Sequence, residues 1–305
     1  TIGGSVKKAI IVTGATSGIG AECINQFLEI DDLYIVGIGR SVTKFPENFN
    51  DRIIYKACDV IDNLKVGVII KEISESYLII GLINAAGVTG RGDNTNNEHE
   101  SIDRMIDTNI KGLTGLVGLQ LDDTEIGDDS LNTICHLPNL KFISLSSTQI
   151  TGATIGKLAT LQHLRRFELG HNVLKKEYLG ELCKLRKIER LGLQGCQIND
   201  KDLDVISKLA SLKTLLLLEN TQITDLGLQK LSALKKLRLL EIPHARITPN
   251  GLKVLVKLPI QRLTIGRKQF TSSQIESIKK MFPKADINIY DNSHRMDPEL
   301  FRPLH

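Results

Sequence analysis

Tryptophan is absent from this 305-residue chain, and aromatic residues make up only 4% of it. Aliphatic side chains, chiefly Leu and Ile, must therefore fill the core. No run of about 18 apolar residues occurs, which excludes a membrane-spanning helix. The five cysteines (Cys23, Cys58, Cys135, Cys183 and Cys196) are odd in number, scattered and without CxxC spacing. That pattern excludes a disulfide frame or zinc ribbon and reads as reduced core thiols; no metal site is expected. The opening "TIGGSVKKAIIVTG" lacks a signal peptide's apolar region and cleavage site, so a cytoplasmic location is expected.

A hydrophobic share of 41% with 24% charged residues is that of a globular protein with ample core. The formal charge of +4 hides an asymmetry. Residues 1–112 carry 11 Lys and Arg against 15 Asp and Glu, so the totals of 39 and 35 leave 28 basic and 20 acidic residues to the remainder. The two parts differ in charge as well as in pattern.

In the first part, "KKAIIVTGATSGIGAECINQFLEI" is an apolar run, a Gly-rich turn and an amphipathic segment: a buried parallel strand feeding a helix. Gly14, Gly18 and Gly20 let backbone approach a pyrophosphate, and a helix starting near Ser17 would aim its N–H groups at it. Three further apolar strands follow, "LYIVGIGRS", "RIIYKACDVID" and "LIIGLINAAGVTG", with helical patterns at about 17–29, 62–75 and 98–112. A Gly-rich turn alone is weak evidence, since any tight βα connection favours glycine.

The order and wording of these motifs resemble the short-chain dehydrogenase/reductase family. "TGATSGIG" resembles its cofactor loop, which implies contacts from Gly14, Thr16, Ser17, Gly18, Ile19 and Gly20. "DV" (Asp59, Val60) resembles its adenine contact, "NAAG" (Asn84, Ala85, Ala86, Gly87) its fourth-strand signature, and "DTNIKG" the segment carrying its catalytic asparagine, here Asn109. In that family an acidic residue at the end of the second strand favours NAD. Gly39 leaves space there instead, and Arg40 could meet a 2′-phosphate in a bidentate contact, so NADP(H) is implied. The alternative is that Arg40 is a solvated loop residue.

The family's chemistry also implies a Tyr with a Lys four residues on, because a phenol of pKa near 10 needs adjacent positive charge to act near neutrality. The residues four after Tyr34, Tyr55, Tyr77, Tyr178 and Tyr290 are Ile38, Asp59, Gly81, Leu182 and His294, so no such pair exists. The expectation is a chain that is not an enzyme, with Asn109 vestigial and the cofactor bound weakly or not at all. Ser146 and Ser147 in "FISLSSTQITG" invite reading as a catalytic serine, but a repeat explains them without catalysis.

From about 113 onwards, pairs of apolar residues recur: Leu119/Leu121, Ile143/Leu145, Phe167/Leu169, Leu191/Leu193, Leu216/Leu218, Leu240/Ile242, Leu263/Ile265 and Ile287/Ile289. A small or polar residue follows at Thr124, Thr148, Asn172, Cys196, Thr221 and Ala245, then an aliphatic one, then a helical stretch such as "DLGLQKLSALKKL". This is similar to the leucine-rich repeat family, whose units stack into a solenoid with a parallel sheet. The fold class expected is α/β: a half-Rossmann parallel sheet (order 3-2-1-4) continuing into a leucine-rich repeat solenoid, whose first strand replaces the dehydrogenase's fifth. The parts are 1–112, 113–290 and a tail or cap, 291–305, joined at 112–118 without a linker. A continuous ladder also covers an otherwise open strand edge on each half.

By family analogy the concave face binds a protein partner. Its lining would include Asp122, Ser144, Ser146, Glu168, His171, Gln194, Glu219, Glu241, His244 and Tyr290. His171 and His244, three strands apart and thus about 14 Å, could not share a metal. Basic residues before the strands, among them Arg165, Arg186, Lys213 and Arg238, read as solvated rim charges, and without interleaved aromatics they do not support nucleic-acid binding. The leading expectation is a non-catalytic scaffold with a partial NADP(H) site. The alternatives are a designed or fused chimera with no ligand, for which "TIGGS" would be a cloning remnant, and an NADP-dependent oxidoreductase.

Overall fold

A computed structural model describes residues 7–15, 18–40, 51–59, 62–84 and 116–291. The chain packs as two compact units, Thr1–Gln149 with Thr160–His163, and Ile150–Ala159 with Leu164–His305.

In the first unit, β1 (Lys8–Thr13) lies between β2 (Leu33–Gly39) and β4 (Leu78–Asn84), with β3 (Ile53–Ala57) outside β2. All pairings are parallel, giving the order β3-β2-β1-β4 expected from the sequence. Ala9, Ile11, Val12 and Thr13 of β1 are all buried, as a strand covered on both faces requires. Helix α1 (Gly18–Phe27) brings Cys23, Ile24 and Phe27 against Val12, Ala15, Leu33, Ile35 and Ile83. Helix α2 (Asn63–Ser76) buries Val66, Ile69, Ile70 and Ile73, the i, i+3, i+4, i+7 stripe of an amphipathic helix. Each such side chain contributes roughly 1.5–3 kcal/mol. Asp62 starts α2 by accepting the Lys65 N–H at 3.1 Å. The third strand stops at Ala57, before the Asp59-Val60 pair at which its apolar run was expected to end, although the Cys58 N–H still reaches the Gly39 carbonyl at 2.9 Å. The helical pattern at 98–112 lies outside the described residues.

The ladder then crosses into the repeats. Strand β5 (Gly118–Gln120) pairs with β4 through Gly81↔Gly118, Leu82↔Leu119 and Ile83↔Gln120, and β6 (Phe142–Ser144) pairs with β5. The first repeat strand therefore occupies the place beside β4. The mechanism is plain backbone chemistry: β4 would otherwise present unpaired N–H and C=O groups, and β5 satisfies them.

The second unit stacks β7 (Arg166–Glu168), β8 (Arg190–Gly192), β9 (Thr214–Leu216), β10 (Leu239–Glu241), β11 (Arg262–Gly266) and β12 (Asp286–Tyr290) in order, all parallel. Leu191 is in register with Leu215, not Leu216, and Leu215 with Leu240. Leu215 and Leu217 are the fully buried pair, so the long interval falls after this strand rather than before it. The backbone agrees: Asp123, Ser147, His171, Gly195 and Glu219 all have positive φ, each 24 residues after the last. Four consecutive leucines, Leu215 to Leu218, fit either parity, so hydrophobic alternation could not choose between them.

Asn220 decides the phase. Its Nδ2 donates to the carbonyls of Leu193 (2.8 Å) and Leu218 (3.1 Å), and its Oδ1 accepts from the Ile198 N–H (2.7 Å). It is fully buried, whereas Thr221, expected in this role, is exposed. Thr124, Thr148 and Asn172 do close their own turns, donating to Leu121, Leu145 and Leu169.

The opposite wall is made of short 3-10 and α turns. In the second unit it is stapled between repeats: Asp200 accepts from the N–H and hydroxyl of Thr224, at 2.7 and 2.6 Å, and Asp225 does the same for Thr248 at 2.8 and 2.6 Å. Thr224 in turn caps α3 (Asp225–Leu231), which ends well before the helical pattern does. The last helix among the described residues, α4 (Ser272–Met281), opens with a reciprocal capping box between Thr271 and Gln274.

Candidate functional site

The carboxyl ends of the first unit's strands form one row. Gly14 leaves β1 in the left-handed region (φ 64°), which favours glycine, and the Ala15 N–H donates to the Ile38 carbonyl at 3.2 Å, pinning the turn to the end of β2. Gly18, Ile19 and Gly20 form the first turn of α1. Arg40, just past β2, is exposed, and Asp59 lies just past β3. Asn84 is the last residue of β4, in register with Thr13. The structure thus brings Gly14, Arg40, Asp59 and Asn84 to the same edge. Thr16, Ser17, Val60, Ala85, Ala86, Gly87 and Asn109 lie outside the described residues.

Packing beneath this edge is tight. A side chain on Gly37 would come within 2.8 Å of the Tyr55 ring and 3.0 Å of the Ala15 Cβ. Tyr55 therefore lies across β2 directly under the turn. Its hydroxyl is pushed above the usual tyrosine range by burial, the opposite of what a proton-transfer tyrosine needs. Burial also raises the Cys58 thiol, opposed by Lys65 and assisted by Asp62 and Asp59.

A second group continues the row on β5 and β6. Asp122 accepts from the Ser144 hydroxyl (2.6 Å), the Ser146 N–H (2.7 Å) and Gln120 Nε2 (2.9 Å). Burial pushes its carboxyl above the ordinary aspartate range, with the bonds from Ser144, Ser146 and Gln120 pulling the other way. Asp122, Ser144 and Ser146 were readable as face residues from the repeat. Their convergence on one carboxylate, with Gln120 as a fourth member, was not, because it depends on the β5–β6 register.

Residues 8–125 match the family model described as short chain dehydrogenase. An uncharacterized oxidoreductase of Staphylococcus haemolyticus is 34% identical over 111 residues, covering 35% of this chain and 48% of that protein. A benzil reductase ((S)-benzoin forming) of Saccharomyces cerevisiae is 28% identical over 125 residues, covering 37% and 48%. The chain thus spans about half the length of the curated relatives it matches. Among solved structures, an internalin from Listeria monocytogenes aligns with TM-score 0.46 at 16% identity, over 79% of this chain and 75% of that one.

These matches correct one expectation. The missing Tyr–Lys pair suggested a chain that is not an enzyme, whereas the matched family and relatives named as oxidoreductases point to an enzyme. The inference failed because a motif's absence says which proton donor is lacking, not which reaction class the fold serves. Short-chain dehydrogenases normally bind NAD(P).

In the second unit the face residues form local pairs. His171 Nδ1 is 3.8 Å from a Glu219 oxygen, across Gly195, whose lack of a side chain makes room. The Glu219 N–H donates to His244 Nδ1 at 3.1 Å, and the His244 ring meets Tyr290 edge-on at 5.3 Å. Glu168 and Arg190 form a buried ion pair at 2.7 Å. Part of the basic rim is neutralised, Lys213 by Glu189 at 2.7 Å and Arg262 by Asp286 at 3.3 Å. Among the described residues no group of three or more His, Cys, Asp or Glu could hold a metal, and no helix is long and apolar enough to cross a membrane.

Proposed function

We propose that residues 8–125 form the dinucleotide-binding part of an NADP(H)-linked oxidoreductase of the short-chain type, and that the repeats present a face for a protein partner. One observation carries the first half of this reading. The left-handed turn at Gly14, the start of α1, the exposed Arg40 and Asp59 share one sheet edge, at the point where strand order reverses between β1 and β4. The described residues fit the group: the left-handed Gly14 turn and the start of α1 for the pyrophosphate, and exposed Arg40, following a strand that holds no acidic residue, for a 2′-phosphate.

Calorimetric titration with NADPH and NADH tests this. Saturable NADPH binding, tighter than NADH, is expected. Arg40→Ala should weaken NADPH by about tenfold, the worth of a charge-assisted bond, and leave NADH unchanged. Absence of saturation by either nucleotide up to millimolar concentration would refute the site. The redox half is checked by loss of NADPH absorbance with a diketone such as benzil, the compound in the yeast relative's name. The partner half rests on the side chains carried by the stacked repeat strands and is tested by alanine substitution of His171 and Glu219 in a binding assay against any captured protein.

A further inference from the structure

The polar group on β5 and β6 ties one repeat to the next, as Asp200 and Asp225 do elsewhere, but on the strand side, where the repeat pattern calls for no carboxylate. Asp122 occupies the position held in later repeats by Ser146, Gly170, Gln194 and Leu218, so the solenoid does not require a carboxylate there. Three donors nevertheless hold this one. Ser144 and Ser146 both bond Oδ1, while among the described residues Oδ2 receives Gln120 and keeps an acceptor direction.

Its position is set by register. Ile83 is opposite Gln120, so the Asp122 side chain follows two residues later on the face that Ile83 shares with Val12 and α1. Strand spacing places β5 about 10 Å along the edge from β1, on the far side of Gly14 from Arg40 and Asp59. A dinucleotide whose pyrophosphate sits at Gly14 and whose adenosine runs toward Arg40 must send its other half over the ends of β4 and β5. Among the described residues, Asn84 and Asp122 lie there.

Resting on the dinucleotide reading above, we propose that Asp122, oriented by Ser144 and Gln120, accepts a hydroxyl of the ribose on the nicotinamide side of bound NADP(H). The first repeat strand thereby supplies a ligand contact as well as closing the sheet. A carboxylate suits this role because it only accepts, and a ribose hydroxyl donates to it with a charge-assisted bond.

The test compares two ligands in the full chain by calorimetry: NADPH, and 2′,5′-ADP, which lacks the nicotinamide half. Asp122→Asn should weaken NADPH by about tenfold and leave 2′,5′-ADP within about twofold. Ser144→Ala keeps the carboxylate but frees it, and should shift NADPH in the same direction by a smaller factor; it decides the matter should Asp122→Asn not fold. Equal losses for both ligands, or unchanged NADPH affinity, would overturn this proposal while leaving the nucleotide site standing. Binding of neither ligand to the unmodified chain would overturn the nucleotide site and this contact with it.

Discussion

Removing Asn220 should damage the second unit far more than removing Thr221, although the spacing of the repeats nominates Thr221. In Asn220→Ala three hydrogen bonds disappear from a fully buried site. The Leu193 and Leu218 carbonyls retain other donors, the N–H groups of Cys196 (3.3 Å) and Gly195 (2.9 Å). The Ile198 N–H loses Oδ1, its acceptor at 2.7 Å. A buried group left unsatisfied costs about 1–3 kcal/mol, and a small void adds to it, so a loss of about 3 kcal/mol is expected. Thr221→Ala, at an exposed position, should stay within about 0.5 kcal/mol. Urea unfolding followed by circular dichroism reads both, and amide exchange at Ile198 localises the effect. Equal midpoints for the two variants, or a larger loss for Thr221→Ala, would refute the phase assigned to this repeat.

Two other perturbations follow from the same packing. A methyl group on Gly266 would lie 2.0 Å from the Pro243 carbonyl, a backbone atom that cannot swing aside, so Gly266→Ala should lower stability by about 1–3 kcal/mol in the urea assay, while Gly180→Ala, with open space around it, should not. Burial raises the Cys196 thiol to about 11 from 9.0, opposed by bonds from Asn172 and His171 and by Lys176. The folded state thus holds the proton longer than the unfolded one. The associated stability is complete below pH 9 and is lost as pH rises toward 11, a slope that Cys196→Ala should flatten in melting curves.

Much of the architecture was legible in advance because it rests on local periodicities. Apolar runs ending at Gly14, Gly39 and Asn84 specify strands buried on both faces, and the resemblance to the short-chain dehydrogenase family implied the arrangement of β1 to β4. The repeat was equally visible, except where Leu215 to Leu218 offered two parities. The candidate site was legible only in part: Gly14, Arg40, Asp59 and Asn84 can be named from motifs, but the cluster of Gln120, Asp122, Ser144 and Ser146 cannot.

The sequence by itself determined the strands of both patterns, the change of pattern near 112–118, and that no tyrosine is followed four residues on by a lysine. Those properties are carried by side-chain periodicity and spacing, which the chain expresses one neighbour at a time. Tertiary structure alone decided the register in which β5 meets β4, that Asn220 rather than Thr221 bridges two repeats, and that three donors meet on Asp122. Each depends on the register of hydrogen bonds between strands distant in sequence, and a one-residue slip there moves a side chain to the other face of the sheet.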